Sequence, residues 1–223
     1  SLRQEYTHRS PDDRRRAAEW HYDSAISSEL FEHALARAGE KPSESSDWPA
    51  GVVALAIDPH YAPALLTVGS IEYQFGRVDE AMTLFMQLTD LPKDEEDLPE
   101  VIDQAGDFLT DYEDYENGLE LYLAAERTDP EEPIYLLGSG YCLSKLERFR
   151  ESVEKYRQAV EKKQEPENYT YLNDLGYALL EAKEFGEAEQ VLKQSQRLAP
   201  PDYTLPANNL KELYKRKREA GKD

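Results

Sequence analysis

The chain has 223 residues, 39% of them hydrophobic, and a formal net charge of −20 at pH 7. This acidity disfavours nucleic acids and anionic lipid surfaces as partners, because both are bound by neutralising phosphate groups with Lys and Arg. No run approaches the roughly 18 apolar residues of a membrane span, and the single cysteine, Cys142, excludes a disulfide framework within the chain. With no secretory leader visible, we expect a cytoplasmic protein.

The N-terminal part predicts a long helix and then a short one. Residues 1–10 have mixed charge and no apolar period, so we expect them to be disordered. The run from Ser10 to Asp13 supplies a hydroxyl cap, a first-turn proline and two carboxylates, which together favour a helix start. That helix is expected to end near Ala38, before Gly39. Trp48–Ile57 follows as a second helix. We interpret residues 11–59 as a long capping helix plus a degenerate first repeat.

The role of this long helix stays open. It can cover the first regular repeat, since a solenoid needs a cap at each end. Alternatively, it can form an arm that docks in a groove of the molecule or mediates dimerisation.

Four positions then recur in register. The repeat glycines are Gly69, Gly106, Gly140 and Gly176, spaced 37, 34 and 36 residues apart. Sixteen residues after each comes a large side chain: Phe85, Tyr122, Tyr156 and Leu192. Twelve residues after each comes a small one: Ala81, Gly118, Ser152 and Ala188. Nine residues after each comes a residue expected to plug a turn: Val78, Tyr115, Phe149 and Phe185. The pattern predicts pairs of amphipathic helices that pack closely at the glycines.

The pattern resembles the tetratricopeptide repeat (TPR) family, which has a 34-residue period. The family's first-helix tryptophan is absent, with Ile102, Leu136 and Leu172 in its place. The resemblance implies an all-α, right-handed α-solenoid of helix pairs with capping helices at both ends. It places four regular repeats within residues 60–202, at about 62–98, 99–132, 133–168 and 169–202.

Residues 203–223 are interpreted as a C-terminal capping helix with a basic tail. Its helix is expected over Tyr203–Ala220, covering the last repeat with apolar side chains and turning its cations to water. The apolar set is Leu205, Leu210, Leu213 and Tyr214, and the basic set is Lys211, Lys215, Arg216, Lys217 and Arg218. Cations near a helix C-terminus are ordinarily stabilising. The alternative is that the basic run forms a recognition patch.

The residues do not predict catalysis. The four histidines have no metal-ligand spacing. Gly138-Ser139-Gly140 lies inside a predicted helix and lacks the lysine of a phosphate-binding loop. Cys142 has no histidine nearby in sequence to activate it. We therefore expect a non-enzymatic protein with no catalytic residue, metal or cofactor.

The resemblance also implies where a partner binds. In the TPR family, first helices line a concave groove, and five positions of each repeat face the ligand. Transferred to this chain, those positions predict an acidic, tyrosine-lined groove. The partner-binding residues are expected to be Tyr73, Glu100, Asp103, Asp107, Asp111, Leu137, Tyr141, Asn173 and Tyr177. The competing interpretation is that the acids only face water and the tyrosines belong to helix contacts. The cations of the family's carboxylate clamp are absent.

The sequence thus predicts a scaffold or adaptor that binds an extended or helical segment of a partner protein. The partner segment is expected to carry basic residues beside apolar or aromatic ones. Two alternatives remain: a chaperone for an aggregation-prone client, similar to the TPR chaperones of secretion systems, or a self-assembly module. Nucleic-acid binding and membrane insertion are not expected, and the chain is expected to be a monomer or a homodimer.

Overall fold

The computed structural model describes residues 9–23, 47–95, 97–163 and 168–220. Within these ranges the chain forms eleven α-helices and no strand, which confirms the all-α prediction. The helices are α1 (Pro11–Asp23), α2 (Asp47–Ile57), α3 (Ala62–Gln74), α4 (Val78–Leu88), α5 (Leu98–Asp111), α6 (Tyr115–Thr128), α7 (Pro133–Lys145), α8 (Phe149–Lys162), α9 (Tyr169–Glu181), α10 (Phe185–Leu198) and α11 (Leu205–Ala220). The chain divides into two compact units, Ser1–Phe108 and Leu109–Asp223.

The first unit is a series of helices in which α1 packs on α2, α2 on α3 and α3 on α4. Ala18 of α1 is fully buried against Val53, Ala54 and Ile57 of α2, because its small side chain allows the helices to approach closely. Arg15 makes a bidentate ion pair with Glu95, at 2.5 and 3.1 Å. The predicted N-terminal helix therefore forms as far as residue 23. The rest of its predicted length, to Ala38, lies outside the described residues.

The second unit is built in the same way from α6 to α11. Each of these helices packs on the next, and α11 also contacts α9. An apolar cluster joins α8 to α11, and its larger buried side chains include Val153, Tyr156, Leu175, Leu179, Leu192, Leu210 and Leu213.

The repeat glycines lie where helices touch. A Cβ atom on Gly176 would come within 2.6 Å of Leu192 Cγ, and one on Gly69 within 2.6 Å of the Phe85 ring. On Gly140 it would lie 3.0 Å from the Tyr156 ring. In each pair the large side chain sixteen residues later fills the space above the glycine. The predicted close-packing positions are confirmed for these three repeats.

The turn inside each helix pair has a repeated backbone conformation. Seven residues after each repeat glycine lies a residue with positive φ: Gly76 at 78°, Glu113 at 59°, Glu147 at 58° and Lys183 at 64°. Two residues later the second helix begins, at the predicted turn residues Val78, Tyr115, Phe149 and Phe185. Only one of the four turns uses glycine, although left-handed backbone disfavours every other residue type.

The C-terminal helix differs from its prediction in three ways. It begins at Leu205, and the Tyr203 ring instead packs edge-on against Tyr169, with centroids 5.0 Å apart. Leu210 and Leu213 are buried as expected, but Leu205 is 50% exposed. Tyr214 is 37% exposed, and its hydroxyl donates a 3.1 Å hydrogen bond to Glu189 of the last repeat.

Two of the cations expected to face water are instead used to attach α11. Arg216 bonds Glu181 of α9, with both N–O distances 3.0 Å. Lys217 bonds Glu189 of α10 at 2.9 Å. The expectation was wrong for Arg216, which is half-buried, whereas Lys217 is exposed as expected and also forms an ion pair. Charge as well as leucine therefore holds the helix.

Candidate functional site

The acidic residues of the predicted site all lie on α5. Their spacing of three, four and four residues places Glu100, Asp103, Asp107 and Asp111 on one face of the helix. Asp103 is half-buried and the other three are exposed. The first three belong to the first unit and Asp111 to the second. This acidic face of α5 is the negative element that the sequence predicts.

Tyr73, the remaining predicted residue of the first unit, is half-buried at the end of α3. Its ring packs edge-on against Phe108, with centroids 5.5 Å apart and planes at 86°. The contact holds the tyrosine ring in one orientation and leaves part of its surface to solvent.

Two of the exposed tyrosines of the second unit lie on the first helices of successive repeats. Tyr141 of α7 is 42% exposed and Tyr177 of α9 is 43% exposed. Leu137, one turn before Tyr141, is half-buried and packs on the apolar core of the unit. Solvent-exposed aromatic rings backed by a packed core are typical of protein-binding surfaces. We call Leu137, Tyr141, Lys145, Tyr177 and Tyr115 the tyrosine patch.

Lys145 occupies the centre of this patch. Its ammonium lies 5.3 Å from the Tyr141 ring centroid and 5.8 Å from that of Tyr115, both within cation–π range. The two rings are themselves in edge contact at 6.4 Å. Electrostatic interaction and hydrogen bonding with the Tyr141 hydroxyl raise the pKa of Lys145.

Tyr177 has a different charged neighbour. Burial, followed by the charge and hydrogen bond of Glu181, raises the pKa of the Tyr177 phenol, while Arg216 and Lys145 act in the opposite direction. Glu181 is itself held by the two bonds from Arg216. The carboxylate beside Tyr177 is therefore held in place from α11.

Asn173 does not join the exposed surface. It is only 4% exposed, and its amide oxygen accepts a 2.9 Å hydrogen bond from Asn209 of α11. Its own amide nitrogen donates to Asp174 at 3.2 Å. Asn173 links α9 to the C-terminal helix, so a partner does not reach it in this structure.

Two members of the patch were not among the predicted site residues. Lys145 lies four residues after Tyr141, so helical periodicity places both on one face, and this signal was present in the sequence. Tyr115 was predicted to plug a turn, and its contact with the next repeat depends on helix packing that spacing alone does not reveal.

Neither metal binding nor membrane spanning is indicated where the structure describes the chain. Within those ranges, no group of three or more His, Cys, Asp or Glu side chains is arranged to hold a metal ion. None of the helices there combines the length and apolar character needed to cross a bilayer.

Residues 143–203, which run from the end of α7 to Tyr203, match the family model of the tetratricopeptide repeat. The same glycine contacts and turn conformation recur outside that range, in the repeat that begins with α3. The resemblance to the tetratricopeptide repeat family is thereby confirmed. No curated protein matches it in sequence.

Several solved structures resemble the chain in fold. YrrB, a TPR protein, superposes with a TM-score of 0.54 at 18% identity, covering 88% of this chain and 96% of that one. MamA from Desulfovibrio magneticus RS-1, from residue 41 to its end, gives 0.50 at 16%, covering 78% and 97%. Yeast Tom70 gives 0.54 at 16%, covering 94% of this chain and 41% of Tom70. At such low identity the likeness shows the fold alone.

Proposed function

We propose that this protein is a non-catalytic scaffold that binds a segment of a partner protein at the tyrosine patch. The observation that carries the proposal is the exposure of Tyr141 and Tyr177 at equivalent positions of successive repeats. Aromatic side chains are enriched among the residues that dominate binding energy at protein interfaces. YrrB, a protein of similar fold, is described as having an unusual peptide-binding site. This precedent supports a peptide-binding role for the present chain.

Two interactions are expected to govern binding, apolar contact and electrostatic attraction. Apolar or aromatic side chains of the partner dock on the rings of the patch and set the dissociation rate. Basic residues of the same partner are attracted by the acidic face of α5, because a concentrated negative charge accelerates the approach of cations. Lys145 repels cations from the patch itself, so the basic residues are expected to flank the docked aromatic residue and not to replace it.

A peptide library tests the proposal without requiring an identified partner. Peptides of random sequence, displayed on phage, are selected on the full chain. We expect enrichment of sequences with Lys or Arg near a large apolar or aromatic residue. An enriched peptide should bind the Tyr141→Ala, Tyr177→Ala double variant about tenfold or more weakly, mainly through faster dissociation.

Charge and control variants complete the test. Glu100→Lys with Asp107→Lys should slow association and flatten its salt dependence, while leaving dissociation nearly unchanged. Tyr214→Ala is the matched control, because Tyr214 is also exposed but lies on α11 and bonds Glu189. Enriched peptides that bind the double tyrosine variant as tightly as wild type would show that the patch is not the binding site.

A further inference from the structure

Asp174, one turn before Tyr177 on α9, carries a half-buried carboxylate. Its Oδ1 atom accepts a 3.2 Å hydrogen bond from the amide of Asn173. Within the described ranges its Oδ2 atom has no hydrogen-bond partner, remains open to solvent and forms no ion pair. One oxygen of a partly desolvated carboxylate is therefore available to a ligand.

This carboxylate lies beside the tyrosine patch. Residues three positions apart on a helix share one side of it, with Cβ atoms about 5–6 Å apart, so Asp174 and Tyr177 are neighbours. The buried phenol of Tyr156 gives a second indication. Burial is the main cause of its raised pKa, and the charges of Asp174, Tyr141 and Tyr177 are among those that add to it. The carboxylate and both exposed rings of the patch are therefore close to the same phenol.

The fold does not require a carboxyl group at this position. The equivalent residue of α7 is Gly138, which has no side chain at all. Burial raises the pKa of Asp174 to about 6, so the ionised form is unfavourable in the folded protein at neutral pH. Groups with such shifted pKa values cluster at functional sites, where a loss of stability is accepted for function.

We propose that Asp174 binds a Lys or Arg side chain of the partner segment while an aromatic residue of that segment docks on Tyr141 and Tyr177. This assignment rests on the proposed function and adds the residue that selects the cation. The exposed acids of α5 attract cations over a distance, but an exposed ion pair contributes little once formed. Asp174 is already partly removed from water in the free protein, so pairing it with a cation adds little further cost of desolvating the carboxylate.

The geometry also predicts the spacing of the two groups in the partner. In an extended segment, side chains two residues apart point to the same side and lie about 7 Å apart. That separation matches the distance between Asp174 and Tyr177 along α9. We therefore expect Lys or Arg two residues from the docked aromatic residue, because a directly adjacent side chain would point to the opposite side.

Parallel selections from one random-peptide phage library test the assignment. Wild type should enrich peptides with Lys or Arg two residues from an aromatic residue. Asp174→Asn keeps the shape of the side chain but not its charge, so it should still enrich the aromatic residue and should lose the preference for the cation. Asp202→Asn is the matched control, because it removes the same charge from an exposed site of the same unit and should give the wild-type profile.

A double-mutant cycle measures the contact directly. The probe is a peptide selected on wild type, compared with an analogue that has Met in place of its cation. Wild type should bind the Met analogue about tenfold or more weakly, whereas Asp174→Asn should bind the two peptides alike. Binding is measured by isothermal titration calorimetry.

The same binding should depend on pH. The carboxyl group of Asp174 is mostly protonated at pH 5, so wild type should bind the cationic peptide up to about tenfold more weakly there than at pH 7. The Met analogue should show a smaller change, and Asp174→Asn should show none that depends on the cation.

The groups around Asp174 do not titrate in this range. The carboxylate acts on the phenols of Tyr156 on α8 and Tyr203 before α11. Burial, followed by Asp174, raises the pKa of both, and that of Tyr203 reaches about 12. Within the described ranges no cation of α8, α10 or α11 forms an ion pair with Asp174.

The outcomes separate this assignment from the proposed function. Binding that is weakened by Tyr141→Ala with Tyr177→Ala but keeps its preference for the cation in Asp174→Asn would overturn the assignment alone. An equal loss of that preference in Asp202→Asn would overturn it too, since general electrostatics would then explain the effect. Peptides that bind the double tyrosine variant as tightly as wild type would overturn the proposed function and the assignment together.

Discussion

Helices α7 and α9 present the same three positions to one side of the second unit, yet those positions have different roles. On α7 they are Leu137, Tyr141 and Lys145, and on α9 they are Asn173, Tyr177 and Glu181. The middle tyrosines are almost equally exposed, at 42% and 43%. The flanking residues differ, because α11 bonds Asn173 through Asn209 and Glu181 through Arg216. One helix face therefore serves as open surface or as a helix contact, depending on the helix that packs beside it.

The residues that precede the repeat glycines by two positions, Gly138 of α7 and Asp174 of α9, also differ between the two helices. Gly138 of α7 leaves space for the Tyr122 ring, which would lie 2.1 Å from an added Cβ. The equivalent residue of α9 is Asp174. Burial, followed by the Asp174 carboxylate, raises the pKa of the Tyr156 and Tyr203 phenols. At this position α7 has a glycine that makes room for a neighbouring ring. At the same position α9 has a carboxyl group whose burial makes ionisation unfavourable.

The largest expected effect is on the close contact of α9 with α10. Gly176→Leu should lower the free energy of unfolding by about 1–3 kcal/mol, because overpacking forces helices apart. An added Cβ at this position meets Leu192 at its branched Cγ atom, whereas at Gly140 it meets the edge of the Tyr156 ring at 3.0 Å. Gly140→Ala should therefore cost less than Gly176→Ala. Urea unfolding measures both, and equal losses would contradict the packing difference.

The next effect concerns the pH dependence of stability. Burial raises the pKa of Asp174 to about 6, and the Asn173 hydrogen bond opposes the shift. In the unfolded chain the group titrates near pH 4, so between about pH 4 and pH 6 the folded state holds the extra proton. The contribution of Asp174 is then most favourable below pH 4 and is lost as the pH rises through 6.

Asp174→Asn should remove that loss. We expect the variant to be about 1–2 kcal/mol more stable than wild type at pH 7, and less so near pH 4. Thermal melts at a series of pH values measure the difference. Gly138 has no carboxyl group at the equivalent position, so α7 has no counterpart to this effect. A variant whose stability relative to wild type is the same at pH 4 and pH 7 would show that Asp174 titrates normally in the folded protein.

The packing of α7 and α9 was predictable because it is periodic. Gly140 with Tyr156 and Gly176 with Leu192 recur at a spacing of sixteen residues, and steric fit leaves few alternatives to that spacing. The start of each second helix was predictable for the same reason. Tyr141 and Tyr177 also lie on the predicted face of their helices and are exposed, although their role in binding stays a prediction.

The roles of Asn173 and Glu181 were not predictable in the same way. The resemblance treats every repeat as open on its inner face, whereas the last repeat meets α11. The Arg216–Glu181 bonds join residues 35 positions apart, on helices without a shared period. From the sequence alone, the cations of α11 were expected to face water, because cations near a helix C-terminus stabilise the helix without a side-chain partner.

A smaller effect should appear when this attachment is broken. Arg216→Met removes both bonds to Glu181, whose side chain is 19% exposed and would lose this ion-pair partner. We expect a loss of about 1 kcal/mol, together with faster amide hydrogen exchange in α11 than in α7. Lys145→Met is the matched variant on α7, because that ammonium contacts rings and not a carboxylate. Its effect on stability should be smaller, and similar losses in the two variants would contradict the comparison.

The smallest expected effect is in the turns that follow α7 and α9. Glu147 and Lys183 hold φ at 58° and 64°, a region that costs a side-chain-bearing residue roughly 1 kcal/mol relative to glycine. Glu147→Gly and Lys183→Gly should therefore raise stability, less than the strain itself, because glycine also gains freedom in the unfolded chain. Gly76→Ala is the reverse change at the equivalent turn of the first unit and should be destabilising, although a Cβ there meets nothing within 4 Å. Thermal melts at a pH far from the titration of Asp174 measure all three. If Gly76→Ala leaves the melting temperature unchanged, the positive φ does not determine which residue types these turns favour.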